Sequence, residues 1–156
     1  MTGGLCIFLN VSPSNDPYDL DRFVQAQAAD YDRALSELRD GQKRSHWMWY
    51  IFPQIEGLGR SPMSLRYSIK SAAEARAYLD HPVLGPRLLE CFAVVHTIVG
   101  HSAVEIFGSP DDMKLRSCAT LFVSVSGEAA FEDVLQKYFN GQHDEETLRR
   151  LGATTK

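Results

Sequence analysis

The sequence predicts an all-α fold: a single multihelical domain of seven to nine short helices. Three observations support this prediction. Apolar residues recur at spacings of three and four along several segments, which is typical of amphipathic helices. Residues that begin or end helices are the most frequent local signals. Hairpin dipeptides and an internal repeat period do not occur in the sequence.

The first predicted helix has apolar residues at helical spacing from Leu20 to Leu38. Asp19 is expected to cap its start, and Gly41 is expected to end it, because glycine readily takes the left-handed conformation after a last turn. A shorter helix follows from Ser45 to Phe52, where Pro53 prevents its continuation.

Serine residues mark the starts of four later helices, since a serine hydroxyl can accept a hydrogen bond from a free N–H of the first turn. Proline at the first helical position or an acidic residue three positions later strengthens each signal. These groups are Ser61 with Pro62, Ser71 with Glu74, Ser102 with Glu105, and Ser109 with Pro110 and Asp112.

Three further helices are predicted in the second half of the chain. The segment 86–99 is apolar on several faces, so we expect it to be the central helix. An amphipathic helix runs from Phe131 to Phe139 and stops at Asn140. Asp144 begins a last helix that ends at Gly152.

Length and charge limit the classes of protein to which this chain can belong. A chain of 156 residues with 44% hydrophobic residues is the size of one domain and can form a core. The net charge of −4 argues against a broad nucleic-acid-binding surface. The three cysteines are widely spaced, which is unlike a disulfide framework and favours reduced thiols.

Three parts of the chain are distinguished: an N-terminal lead-in at residues 1–15, the helical domain at 16–152 and a C-terminal tail at 153–156. The lead-in contains an apolar stretch, either a strand or an ordered tail, without the basic start and cleavage site of a signal peptide. No segment reaches the roughly 20 apolar residues of a membrane span. We therefore expect a cytoplasmic protein that does not bind membranes.

The segment 43–54 is the first candidate site because it combines aromatic and basic residues. Trp47 and Trp49 would point about 200° apart on a helix, so one is expected in the core and the other at a cleft. If Ser45 caps this helix, the free N–H groups of the first turn lie beside the two preceding cations. Such an arrangement favours a bound anion, for example phosphate or carboxylate.

A second candidate site lies at the start of the helix that follows Ser109. Lys114, Ser117 and Thr120 follow one another at three-residue steps and can share one face of that helix. Asp112 is most simply a first-turn carboxylate that complements the helix dipole. These side chains can line a polar groove, or they can serve only as caps and surface residues.

Together the two segments predict a site for a small anionic ligand, such as a nucleotide. Their residues are expected to have the following roles. Cations hold the negative charge, an indole stacks on a flat group, and Gln54 orients the ligand. If the ligand is hydrolysed, His46 or Asp112 handles the proton, without a metal. The predicted ligand-binding residues are Lys43, Arg44, His46, Trp47, Trp49, Gln54 and Lys114.

No metal site and no cofactor are predicted. The five histidines do not show the spacings of metal-binding motifs. The Gly57-Leu58-Gly59 turn is not a dinucleotide-binding loop, because Pro62 stands where that loop has its third glycine.

Several motifs occur together over residues 16–151, and with them the chain resembles the bacterial domain-of-unknown-function 1810 family. The resemblance implies an all-α fold and no established activity. Some members carry the name calpastatin, an inhibitor that works as a disordered chain, whereas the capped and aromatic-rich sequence predicts a folded domain. The motifs include Asp16-Pro17, Arg22-Phe23, Ala26-Gln27, His46-Trp47-Met48-Trp49, Phe52-Pro53-Gln54, Gly57-Leu58-Gly59, His81-Pro82-Val83-Leu84-Gly85, Lys114-Leu115 and Thr120-Leu121-Phe122.

Two functional hypotheses compete with ligand binding. In the first, the aromatic segment is the interface of a protein-interaction module or a homodimer, with no catalysis. In the second, the aromatic residues of the segment are core residues and the cations are a solvated rim.

Overall fold

The computed structural model describes residues 15–154, and over this range it contains helices and no β-strand. This confirms the predicted all-α fold. Ile55 and Ile69 form an isolated parallel bridge between the loops on either side of the third helix. The nine helices of the described range are α1 Asp21–Arg39, α2 Met48–Ile51, α3 Pro62–Tyr67, α4 Ala72–Asp80, α5 Leu84–Thr97, α6 Ala103–Phe107, α7 Asp111–Ser126, α8 Ala129–Phe139 and α9 Glu145–Thr154.

The core has residues from most of the helices, and α5 and α7 both contribute to it. The predicted central helix, α5, packs against α1, α4 and α8, but His96 and Thr97 at its end are exposed. Helix α7 contacts α4, α6, α8 and α9, and all residues from Ser117 to Phe122 are buried. Helix α7 therefore contributes to the core as well as α5. Its buried stretch includes serine, cysteine, alanine and threonine, whose small side chains let neighbouring helices approach without giving a strong hydrophobic signal.

Several predicted helix ends are confirmed. Gly41 has φ +75°, its N–H donates to Leu38 O, and the N–H of Gln42 donates to Glu37 O. This is the Schellman arrangement, which satisfies the free carbonyls of the last turn of α1. The hydroxyls of Ser61, Ser71 and Ser102 accept hydrogen bonds from the N–H groups of Ser64, Glu74 and Glu105, respectively.

Several predicted boundaries are wrong in detail. Ser109 does not cap α7, because Pro110 precedes that helix and no side-chain hydrogen bond caps it. Asp19 does not cap α1; the carboxylate of Asp16 does, and it accepts hydrogen bonds from Leu20 N at 2.7 Å and Asp21 N at 2.9 Å. Asp19 instead has a positive φ of +52° in the turn between the cap and the helix. At the other end of the chain, α9 continues past Gly152 to Thr154, so residues 153 and 154 belong to a helix rather than to a tail.

The predicted capping box at the start of α4 is only half formed. The Ser71 hydroxyl caps the helix, but the Glu74 carboxylate does not return to Ser71 N. It accepts a hydrogen bond from Lys70 N at 2.9 Å and forms an ion pair with Arg22 at 2.8 Å. The Arg22 and Glu74 side chains are both almost fully buried, so each is a necessary partner of the other.

The predicted lead-in, residues 1–15, lies outside the described residues except for Asn15. In the described part of the chain, no helix combines the length and apolar character needed to cross a bilayer. Cys91 and Cys118 are buried free thiols. Burial raises the pKa of the Cys91 thiol to about 12, which makes it unreactive.

Candidate functional site

The two segments predicted as separate candidate sites form one site in the structure. The Nζ atom of Lys43 lies 3.0 Å from Asp111 Oδ2, and the Nζ atom of Lys114 lies 3.2 Å from Asp111 Oδ1. The Lys43 side chain is only 8% exposed, and its ammonium also donates to Ser45 O at 2.6 Å. Asp111 thus holds a buried lysine and a more accessible lysine on its two oxygens.

The two tryptophans have different environments, as their helical spacing predicted. Trp47 is completely buried, and its indole Nε1 donates to Glu37 Oε1 at 2.9 Å. Trp49 is only partly buried, and the Nζ atom of Lys114 lies 5.7 Å from the centroid of its ring. This is a cation–π distance. Trp49 is therefore the indole on which a ligand could stack, while Trp47 belongs to the core.

A carboxylate of the chain itself occupies the predicted anion position at residues 44 and 45. Glu37 accepts hydrogen bonds from Arg44 N at 2.7 Å, from Ser45 N at 3.0 Å and from Ser45 Oγ at 2.6 Å, besides the one from Trp47. Burial raises the pKa of Glu37, but these hydrogen bonds outweigh it and lower the pKa to about 2.

The helix that Ser45 was predicted to cap is correspondingly shorter. Ser45 donates its hydroxyl proton to Glu37, and α2 begins at Met48. The free N–H groups that were predicted to face an external anion are therefore already bound to Glu37. A carboxylate of the chain thus lies where the sequence predicted an external anion.

Arg44, His46 and Gln54 were also predicted to bind the ligand. The first two are exposed, and Gln54 lines a very small cavity. Arg44 is exposed and pairs with Asp40 at 3.2 Å, and His46 is exposed as well. Gln54 and Trp49 line a cavity of about 10 Å³, which is about the space of one water molecule. A ligand that stacks on Trp49 must therefore lie on the outer face of this ring.

The loop after α2 reaches the last helix of the domain at Gly57. The guanidinium of Arg150, on α9, lies so close to Gly57 that a Cβ there would be 2.1 Å from Arg150 Nη1. Gly57 also has φ +102°, which side-chain-bearing residues rarely adopt. Glycine at this position thus permits the contact between the loop and α9.

Helix α9 is also bonded to α7. The carboxylate of Asp144, the residue before α9, accepts a hydrogen bond from Ser117 Oγ at 3.1 Å. The backbone N of Asp144 donates to Thr120 Oγ1 at 2.9 Å. The aromatic segment, its following loop and the two helices consequently meet on one side of the domain.

Comparisons with known proteins show the family and the fold of this chain. The family described as "Protein of unknown function (DUF1810)" matches residues 17–151. The chain belongs to this family. It is also similar to the conserved hypothetical protein Rv1873 from Mycobacterium tuberculosis, whose crystal structure is known, with 51% sequence identity and a TM-score of 0.87. That similarity covers 88% of this chain and 99% of the other. The comparison with curated proteins gave no match.

The buried polar atoms of this DUF1810 domain that lack a hydrogen-bond partner in the described range belong to α7 and α9. Among the described residues, three buried side-chain atoms have no hydrogen-bond partner: Asp112 Oδ1, Arg116 Nε and Arg150 Nε. The Arg150 atom lies 2.8 Å from Glu146 Oε2, within ion-pair distance but without hydrogen-bond geometry. Most buried polar groups in proteins are bonded, so such atoms indicate places where water or a ligand binds.

Sequence reasoning identified Asp112 and Lys114 in this region but missed Asp111, Arg116 and Arg150. The spacing of Asp111 and Lys114, three residues apart on a helix, is a signal for their ion pair. Nothing local distinguishes Arg150 from Arg149, because the contact of Arg150 with Gly57 depends on the tertiary fold. We call Trp49, Asp112, Lys114, Arg116 and Arg150 the α7–α9 cluster.

Proposed function

We propose that the α7–α9 cluster binds a small anionic ligand that also carries hydroxyl groups, such as a nucleotide or a sugar phosphate. The observation that carries this proposal is the presence on α7 and α9 of three buried side-chain atoms without a hydrogen-bond partner, one of which, Arg150 Nε, is at ion-pair distance from Glu146. Two belong to arginines, which donate to phosphate or carboxylate oxygens, and one belongs to Asp112, which accepts from a hydroxyl.

The charged and flat parts of such a ligand have different partners in the cluster. Lys114 is 25% exposed and already placed over the ring of Trp49, so it can contact the charged group while the indole contacts the flat group. Lys43 supports the arrangement indirectly, because it holds Asp111 and thereby the start of α7. Gln54 borders Trp49 and limits where the flat group can lie.

A panel of nucleotides and sugar phosphates, followed by thermal shift and by tryptophan fluorescence, tests the proposal. We expect one ligand class to raise the melting temperature and to change the fluorescence of the partly exposed Trp49. Loss of one charged hydrogen-bonding group costs about 1.5–3 kcal/mol, so Arg150→Ala should weaken binding by about 10-fold to 100-fold.

Arg149→Ala is the matched control for Arg150→Ala. Both arginines are on α9 and both contact Glu146, but Arg149 is 76% exposed, whereas a Cβ built on Gly57 would meet the guanidinium of Arg150. Binding should survive the Arg149 substitution. Equal affinities of the two variants, or a panel with no response, would contradict the proposal.

Hydrolysis of the bound ligand is the catalytic part of this proposal. Of the two residues that the sequence offered for proton transfer, Asp112 lies in the cluster and His46 lies on the surface. If the ligand is hydrolysed, Asp112→Asn should abolish turnover while the variant still binds, and His46→Ala should keep its activity. The opposite pattern would assign the proton transfer to His46.

In the alternative function, a protein-interaction module or homodimer, the aromatic segment forms the interface. The structure leaves less aromatic surface exposed in this segment than the alternative needs for several aromatic contacts. Trp47, Tyr50 and Phe52 are buried, which leaves Trp49 as the accessible aromatic residue of the segment. Light scattering distinguishes the two functions. A dimer that becomes monomeric on Trp49→Ala would favour the interface, whereas a monomer that binds ligand through Trp49 favours the proposal.

A further inference from the structure

A second depression lies between the start of α1 and the start of α4, and nothing in the proposed function uses it. Its volume is about 440 Å³. This is within the range of small-molecule sites. We call it the α1–α4 cleft; Tyr18, Arg22, Arg66, Lys70, Ser71 and Glu74 are among its lining residues.

The buried carboxylate in the cleft is already neutralised. Glu74 is 1% exposed, pairs with Arg22 and accepts a hydrogen bond from Lys70 N. Arg22 in turn donates to Glu74 and to the carbonyl oxygens of Ser68 and Arg66. This pair forms a fixed wall of the cleft and leaves the charge of the exposed residues to attract a ligand.

The exposed charge in the cleft is positive. Arg66 and Lys70 are exposed cations, against one exposed carboxylate in the lining, that of Asp19. The Lys70 ammonium is held at the cleft by Ser68, with its Nζ 3.1 Å from Ser68 Oγ and 3.3 Å from Ser68 O. An anion at the cleft therefore meets two cations, one of them fixed in position.

The nine-residue helix α4 begins in the cleft, because Ser71 both caps the helix and lines the cleft. The N–H groups at the first positions of a helix precede its internal hydrogen bonds, and they carry the positive end of the helix dipole. The N–H of Glu74 is already bonded to the Ser71 hydroxyl, so the N–H groups of Ala72 and Ala73 are the helix donors for an anion beside Lys70.

Tyr18 gives the cleft an apolar side. Its side chain is one of the few large hydrophobic ones that are exposed, at 37%, and it stands next to Pro17 in the lining. An exposed tyrosine ring beside a proline is a surface on which a flat group can pack. The cleft thus pairs an aromatic wall with a cationic end.

We propose that the α1–α4 cleft is a second binding site, for a small amphipathic anion that consists of an aromatic ring and a phosphate group. The ring packs on Tyr18, and the phosphate lies between Arg66, Lys70 and the start of α4. The site is independent of the α7–α9 cluster and shares no residue with it.

Titration of the full chain with phenyl phosphate, followed by NMR chemical shifts, tests this inference, with inorganic phosphate as the second probe. We expect phenyl phosphate to bind more tightly than inorganic phosphate. Arg66→Gln/Lys70→Gln should weaken phenyl phosphate binding at least about 10-fold, since two charged contacts are lost. Tyr18→Ala should reduce the affinity for phenyl phosphate to that for inorganic phosphate.

Two controls locate the binding. Arg76→Gln removes an exposed cation of α4 that lies outside this cleft. It should leave the affinity for phenyl phosphate within about twofold, because a lone exposed charge contributes little. Arg150→Ala should also leave it unchanged, which separates this site from the α7–α9 cluster. Absence of saturable binding, equal affinity of the Arg66→Gln/Lys70→Gln variant, or loss of binding in Arg150→Ala would overturn the inference.

Discussion

Glu37→Gln removes the charge around which residues 44–47 are arranged, and its effect can be worked out from the structure. The carboxylate accepts four hydrogen bonds from Arg44, Ser45 and Trp47 while Glu37 is 6% exposed. Its pKa is about 2 in the folded protein, compared with the ordinary value of 4.5. At about 1.36 kcal/mol for each pH unit, this difference corresponds to about 3 kcal/mol of folding free energy.

Glutamine keeps the shape of glutamate but presents an NH₂ group to backbone and indole N–H donors. We therefore expect Glu37→Gln to lower the free energy of unfolding by about 3 kcal/mol at pH 7. The assay is urea unfolding followed by tryptophan fluorescence, which also reports on Trp47 because its indole bonds directly to Glu37.

The pH dependence provides the more specific test. Because the folded pKa lies below the unfolded one, the stabilisation by Glu37 is complete above about pH 5 and is lost as the pH falls toward about 2. The stability difference between wild type and Glu37→Gln should thus shrink by about 1 kcal/mol between pH 6 and pH 3.5.

Glu56→Gln, at an exposed glutamate, is the matched control and should stay within about 0.5 kcal/mol of wild type. The reasoning is refuted if Glu37→Gln is as stable as that control at pH 7. It is also refuted if the deficit of Glu37→Gln does not change with pH.

Two further substitutions test the packing of the helices. Gly85→Ala should destabilise the domain by about 3 kcal/mol or more in thermal unfolding, because the new Cβ would lie 2.0 Å from Leu79 O. Helix propensity alone would instead predict stabilisation by about 1 kcal/mol. The control is Gly152→Ala, which should be neutral or stabilising because a Cβ at residue 152 meets no atom within 4 Å. If Gly85→Ala stabilises the domain, the close approach of α4 and α5 is disproved. Arg22→Met should cost about 3–5 kcal/mol in urea unfolding because it leaves the buried Glu74 unpaired. The double variant Arg22→Met/Glu74→Met should be more stable than Arg22→Met, and the reverse order would contradict the role of the pair.

The candidate site was predictable in part. The aromatic segment directed attention to Trp49 and the second candidate segment to Lys114, and the structure places the two side chains in contact. The expectation that one indole is buried and the other accessible also followed from helical geometry. The contacts of Asp111 with Lys43 and of Arg150 with Gly57 were not predictable, because they join segments that are distant in the sequence.

The sequence alone determined the all-α fold and most helix ends, since caps and stops such as Ser102 and Gly41 act within a few residues of the position they affect. Only the tertiary structure decided which tryptophan is accessible and which group binds the N–H groups of residues 44 and 45. Each of these depends on which surfaces meet when the helices pack. A local pattern shows that a donor or an apolar face needs a partner, whereas the fold determines which partner it contacts.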